Sequence, residues 1–149
     1  MSVVVALTVA FWPRESVVPP HPYASHTSVV YSYVGGRHKT EIPNPFGPRW
    51  TKGSNNPPMG ASEAVRLATK IRRAKFPDRP NWPWVIEQTS LVPWNVESGY
   101  WYWQIQFGQE YQPPPNMVMG AGHSGPATEL NLIVLMDGTA LTPTPINRE

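Results

Sequence analysis

At 149 residues the chain has the length of one domain and can bury a real core, and 40% hydrophobic content with 11% aromatics fits a folded protein. Charged residues make up 15%, under the roughly 25% usual in soluble domains, while 19 prolines are about double the usual share. A net charge of +2 is too small to argue for nucleic acid by itself, and the lack of cysteine excludes disulfides, a thiolate metal site and cysteine catalysis.

Residues 2–12 (SVVVALTVAFW) are nearly all apolar and stop at Pro13-Arg14-Glu15. The run is shorter than the roughly 20 residues that span a bilayer. It has no basic n-region, although Thr8-Val9-Ala10 offers small residues of the kind a signal peptidase requires. Three readings fit: a strand built on Val3, Val4, Val5, Thr8 and Val9; the tail of a signal or anchor segment that starts upstream; or an amphipathic membrane segment. Pro13, Pro19, Pro20 and Pro22 would suit a stiff spacer leaving a membrane. The expectation is therefore an exported or membrane-anchored bacterial protein rather than a cytoplasmic one.

Residues 27–34 (TSVVYSYV) alternate as a strand and end at Gly35-Gly36, a turn signal. Five prolines and three glycines over 37–60 then predict a loop or linker. A helix is expected over 62–75, with Ser62 as N-cap, Glu63 in the first turn and Ala64, Leu67, Ala68, Ile71 and Ala74 as its buried stripe. Phe76-Pro77 stops it, because proline disfavours a helical conformation in the residue before it. Residues 84–91 alternate moderately. Residues 100–107 (YWYWQIQF) alternate clearly, with Trp101, Trp103, Ile105 and Phe107 on one side and Tyr100, Tyr102, Gln104 and Gln106 on the other. Residues 130–136 are almost continuously apolar, Asp137-Gly138 is a hairpin signal, and 139–142 can return as a short strand. The connection over 108–129, with Pro113-Pro114-Pro115, is longer than loops usually are.

The expected fold class is α+β: one helix packed on a three- to four-stranded antiparallel meander over 61–142. It is preceded by the apolar segment 1–12 and an extended, Pro-rich N-terminal half (13–60), and followed by a tail (143–149). This order resembles the PepSY-type or cystatin-like unit, in which an alanine-rich helix precedes three antiparallel strands. The matching parts are 61–74, 84–91, 100–107 and 130–141, with Asp137-Gly138-Thr139-Ala140-Leu141 at the final turn. The resemblance covers a little over half the chain. It implies a non-catalytic, usually extracytoplasmic module that binds or modulates other proteins, and it supplies no catalytic residues.

Gly120-Ala121-Gly122-His123-Ser124-Gly125 spells G-x-G-x-x-G, but Pro126 and a strand follow it where a dinucleotide site needs a helix N-terminus. His123 and Ser124 are sequence neighbours, poor geometry for a triad with Asp137, and no nucleophile elbow is present. His21, His26 and His38 do not make a zinc set. No catalytic residue, metal site or cofactor is therefore expected, leaving an enzyme with a dispersed site, such as His123 with a distant carboxylate, as one alternative.

Six cations fall within residues 66–79, opposed there only by Asp78. Of these, Arg66, Lys70, Arg73, Lys75 and Arg79 make the candidate binding face, and Arg72 adds to the charge. Solvated helix faces commonly look like this, with cations near the C-terminus offsetting the dipole. Trp82, Trp94, Tyr100 and Tyr102 form the candidate aromatic surface beside it, against the alternative that such rings cap the sheet edge. A protein or peptide is the first expected partner, an anionic surface the second and nucleic acid a third, with membrane contact only through an N-terminal anchor.

Overall fold

A computed structural model describes residues 28–43, 47–95, 98–116 and 128–147. The segment 1–12, His21, His26 and the Gly120–Gly125 run with His123 lie outside those residues. In chain order the elements are β1 (Ser28–Tyr33), β2 (Arg37–Ile42), α1 (Ala61–Lys75), β3 (Trp84–Asn95), β4 (Tyr100–Gln109), β5 (Glu129–Leu135), β6 (Ala140–Leu141) and β7 (Thr144–Pro145). The fold is α+β, but among the described residues its antiparallel sheet has seven strands, not three or four, in the order β3-β4-β5-β1-β2-β7 with β6 also on β5.

β4 is the sheet's aromatic spine, and its alternation is realised: Trp101, Trp103, Ile105 and Phe107 are buried with Leu130, Leu132 and Val134 of β5. Each such side chain contributes about 1.5–3 kcal/mol relative to exposure. α1 lies on this face through Ala64 and Ala68, both without solvent exposure, whose small side chains let the helix approach the tryptophans. The first helical bond runs from Ala64 N–H to Gly60 C=O at 3.1 Å, so Gly60 and not Ser62 is the N-cap, and no side chain caps it. Ala74 is exposed, and the inward position near the helix end belongs to Arg72 instead.

Residues expected to be loop or tail also enter the sheet. β2 (RHKTEI) returns from the Gly35-Gly36 turn and pairs along β1 from Tyr33↔Arg37 to Ser28↔Ile42. Its outward side carries Arg37, Lys39 and Glu41, which hides the strand pattern in the sequence, while Thr40 and Ile42 are buried. β7 adds to β2 at His38↔Pro145 and Lys39↔Thr144. Proline is tolerated there because β7 ends the strand order, where no ladder donor is needed on the outer side.

β1 joins β5 at the single pair Tyr33↔Glu129. The hairpin's inner residues Val30 and Ile42 pack with Tyr102, Ile133 and Leu135 in a second core, to which Val92, Trp94, Tyr100 and Leu141 contribute. Residues 47–60 cover the helix-side core. Trp101 Nε1 donates to Trp50 C=O and Trp103 Nε1 to Met59 C=O, both at 2.9 Å, and the Trp50 ring meets Trp101 edge-on.

β3 runs to Asn95, beyond the expected end at residue 91, and carries Pro93 within it. It pairs only with β4 among the named strands, so it is an edge where proline does little harm. Its register slips between Ile86 and Gln88 and again between Pro93 and Asn95. The first of these bulges re-aims a side chain, as bulges commonly do.

Candidate functional site

The pairing register fixes what lies on the sheet face away from the helix. Gln88, Gln106 and Asn131 form one row across β3, β4 and β5; Ser90, Gln104 and Ile133 form the next; Val92, Tyr102 and Leu135 form the third. Of the third row, Tyr102 and Leu135 are buried in the second core and Val92 is half-buried against it. The first two remain accessible over β3 and β4, where Gln88, Ser90, Val92, Gln104 and Gln106 line a shallow groove of about 190 Å³. No side chain of the groove titrates near neutral pH.

The hydrogen bonds orient the amides. Asn131 is buried and donates through Nδ2 to Tyr31 C=O (3.0 Å) and to Glu129 Oε1 (2.7 Å), two groups that can only accept. Its Oδ1 must therefore accept, and does so from Gln104 Nε2 at 3.0 Å. Gln106 Nε2 likewise donates to the Glu87 carboxylate at 3.1 Å, and Gln88 Nε2 to Ser90 Oγ at 2.7 Å. One N–H of each amide is engaged, so Gln88, Gln104 and Gln106 offer the groove their carbonyl acceptors together with one remaining N–H apiece. Glu87 sits at the bulge, and its carboxylate lies where a side chain at Gly108 would otherwise be. Among the described residues neither Glu87 nor Glu129 pairs with a cation. The groove is thus a hydrogen-bonding amide surface, its carbonyl acceptors set by the Asn131 and Glu87 contacts, with carboxylates at one end.

The expected basic face is present but thinner than its letters imply. Arg66, Lys70, Arg73, Lys75 and Arg79 are all exposed. Arg66 is held by Glu63 through two short hydrogen bonds (2.6 and 2.8 Å), so this pair adds little net charge; the same contact holds the Glu63 carboxyl below its ordinary range. Arg72 turns inward, is 6% exposed, and pairs with Asp78 at 2.9 Å. Lys70, Arg73, Lys75 and Arg79 make no ion pair with a described residue.

The four candidate aromatics do not form one surface. Tyr102 is buried in the second core, and burial raises its phenol pKa. Trp94 and Tyr100 are half-buried against the same core, Tyr100 with the Arg49 guanidinium 5.2 Å from its ring centroid. Trp82 lies apart, stacked at a tilt on Tyr111 with centroids 5.1 Å apart. Among the described residues the exposed rings are instead Tyr31 and Tyr33 on the outer side of the β1–β2 hairpin, 42% and 49% exposed. The sequence shows both tyrosines and both groove glutamines of β4, but not the strand pairings that give them neighbours.

Among the described residues no group of three or more His, Asp or Glu side chains could hold a metal ion, and no helix is long and apolar enough to cross a membrane. Comparison with protein-family models, curated proteins and solved structures returned no significant match.

Proposed function

We propose that this protein is a non-catalytic binding module that takes an extended protein or peptide segment on the groove of β3 and β4. The observation that carries the reading is the fixed orientation of the groove amides, which leaves carbonyl acceptors where a ligand would lie. An extended peptide supplies matching donors: its same-side N–H groups repeat every two residues, about 6.8 Å, which is also the spacing of alternate side chains such as Gln104 and Gln106 along β4. Glu87 and Glu129 bias the choice towards segments with Lys or Arg. The helix-then-meander order that resembles PepSY-type and cystatin-like units supports the same reading.

The test is a titration of the full ¹⁵N-labelled chain with short extended peptides of neutral, basic and acidic composition, observed through the glutamine side-chain amide signals. Basic and neutral peptides should shift Gln88, Gln104 and Gln106, basic ones at lower concentration, and Gln104→Leu with Gln106→Leu should abolish the response. Shifts confined to other residues, or none with any peptide, would overturn the reading.

A further inference from the structure

The unpaired cations of α1 do not stand alone. Phe76 at the helix end meets His38 of β2 edge-on at 5.8 Å, which brings the β1–β2 hairpin against the helix C-terminus. Beyond it, Pro80 followed by Asn81 with φ of 62° makes a tight turn closed by Trp82 N–H to Arg79 C=O at 2.9 Å. That pattern, proline and then a residue that tolerates positive φ, is the type II turn signature. The turn carries Arg79 to the hairpin tip, where its Nη2 lies 3.7 Å from where a side chain on Gly35 would begin.

Next to that tip, Tyr33 pairs with Arg37 and Tyr31 with Lys39 across the hairpin, so all four share its outer side. The Arg37 guanidinium lies 4.3 Å from the Tyr31 ring centroid. Of the nearby carboxylates, Asp78 is paired with Arg72 and Glu41 with Lys39, while Glu129, opposite Tyr33, keeps its charge where this surface meets the groove. Two segments far apart in sequence thus bring Arg37 and Arg79 to the hairpin tip, beside two half-exposed tyrosines.

We infer that the hairpin tip, with Arg37, Tyr31 and Tyr33, and the turn after α1 that carries Arg79 form a binding surface for single-stranded nucleic acid. The cations match the repeating charge of the phosphates, and Tyr31 and Tyr33 give bases a stacking surface that acidic side chains cannot use. The surface is separate from the groove of β3 and β4, and the inference does not rest on peptide binding there.

The experiment follows a 5′-fluorescein-labelled oligothymidylate by anisotropy against the full chain over a salt series, with polyglutamate and unlabelled oligothymidylate as competitors. Binding should weaken steeply with salt. Arg37→Ala and Arg79→Ala should each lower the log–log slope by about 0.7, the increment for one single-strand phosphate contact. Tyr31→Ala with Tyr33→Ala should weaken binding roughly tenfold at fixed salt without changing the slope, and Phe at both positions should restore it. Replacing Glu63 and Arg66 together by Ala should change nothing, since that pair carries no net charge. Circular dichroism of each variant checks that the fold is kept. Absence of salt-dependent binding overturns the proposal. So does polyglutamate competing as well as the oligonucleotide while the Tyr-to-Ala pair binds normally, the result expected of a surface for acidic proteins.

Discussion

Arg72 Nη1 donates to Asp78 Oδ1 at 2.9 Å, joining a buried guanidinium on the last turn of α1 to a carboxylate that remains more than half exposed. Asp78 also accepts the backbone N–H of Trp84, the first residue of β3, at 3.3 Å, so one carboxylate ties the helix end to the start of the edge strand. The Trp84 N–H and then the Arg72 guanidinium hold the Asp78 carboxyl below its ordinary value. A carboxyl with a depressed folded-state pKa contributes stability above its unfolded pKa, and that contribution fades as pH falls through the folded value. Thermal melts taken downward from about pH 6 should therefore show a loss setting in below about pH 4, and Asp78→Asn should flatten that part of the profile. Asp78→Ala should lower the melting temperature more than Arg72→Met. The first leaves a buried cation unpaired, whereas the second replaces it with an apolar chain of similar reach.

The helix-side core makes a steric prediction. Ala64 and Ala68 have no exposed surface, and both pack in the cluster that contains Trp101 and Trp103. Ala68→Leu adds three carbons where there is no room and should destabilise the fold by about 1–3 kcal/mol. Ala74→Leu, at an exposed position on the same helix, should leave stability within about 0.5 kcal/mol of wild type. Urea denaturation of the pair separates overpacking from a general effect of leucine.

How much of this was legible beforehand differs element by element. β4 could be read because its buried side is entirely apolar and its reverse is not, a period-2 signal that burial itself produces. β2 could not, since Arg37, Lys39 and Glu41 mask the two residues that anchor it, Thr40 and Ile42. Gly35-Gly36 marked the turn but not the strand that returns from it. The basic helix was visible as charge, but which cations remain free depended on partners at different distances: Glu63 three residues from Arg66, Asp78 six from Arg72. The groove was not visible at all. Gln-Thr-Ser and Gln-Ile-Gln are ordinary strand residues until the register sets Gln88 opposite Gln106 and Ser90 opposite Gln104.

Residues 47–60 have no strand or helix of their own, and two indole N–H groups hold them to the sheet. Trp103→Phe keeps the ring's packing but leaves the Met59 carbonyl without its donor. The expected loss is about 1–3 kcal/mol if that carbonyl stays buried, and less if water reaches it. Hydrogen exchange should report the change locally, with amides near Trp50 and Met59 losing protection before those of β4 and β5. Uniform loss across the sheet would mean that the tryptophan acts through the core and not through this bond.

Asn131 joins the hairpin to the groove. It is 3% exposed, its backbone N–H donates to Ser32 Oγ at 2.9 Å, and its side chain serves Tyr31, Glu129 and Gln104 together. Asn131→Leu removes every side-chain bond at once. It should cost about 1–3 kcal/mol, the penalty for leaving buried partners unsatisfied, with no dependence on pH of its own. Asn131→Asp keeps the shape but turns two donor contacts into a carboxylate facing the Tyr31 carbonyl and Glu129. Burial and the like charge raise the folded-state pKa of the new carboxyl above its unfolded value. The folded state then holds a proton that the unfolded state releases, so stability falls as pH rises through that interval. The aspartate variant should be most nearly native below about pH 4 and weakest near neutrality, whereas the leucine variant should sit at a constant offset from wild type. Melting curves of the three proteins across this range test the donor assignment at Asn131 on which the orientation of Gln104, and with it the placing of its carbonyl acceptor, depends. Two parallel profiles for the aspartate and leucine variants would mean that Asn131 Nδ2 does not face Glu129.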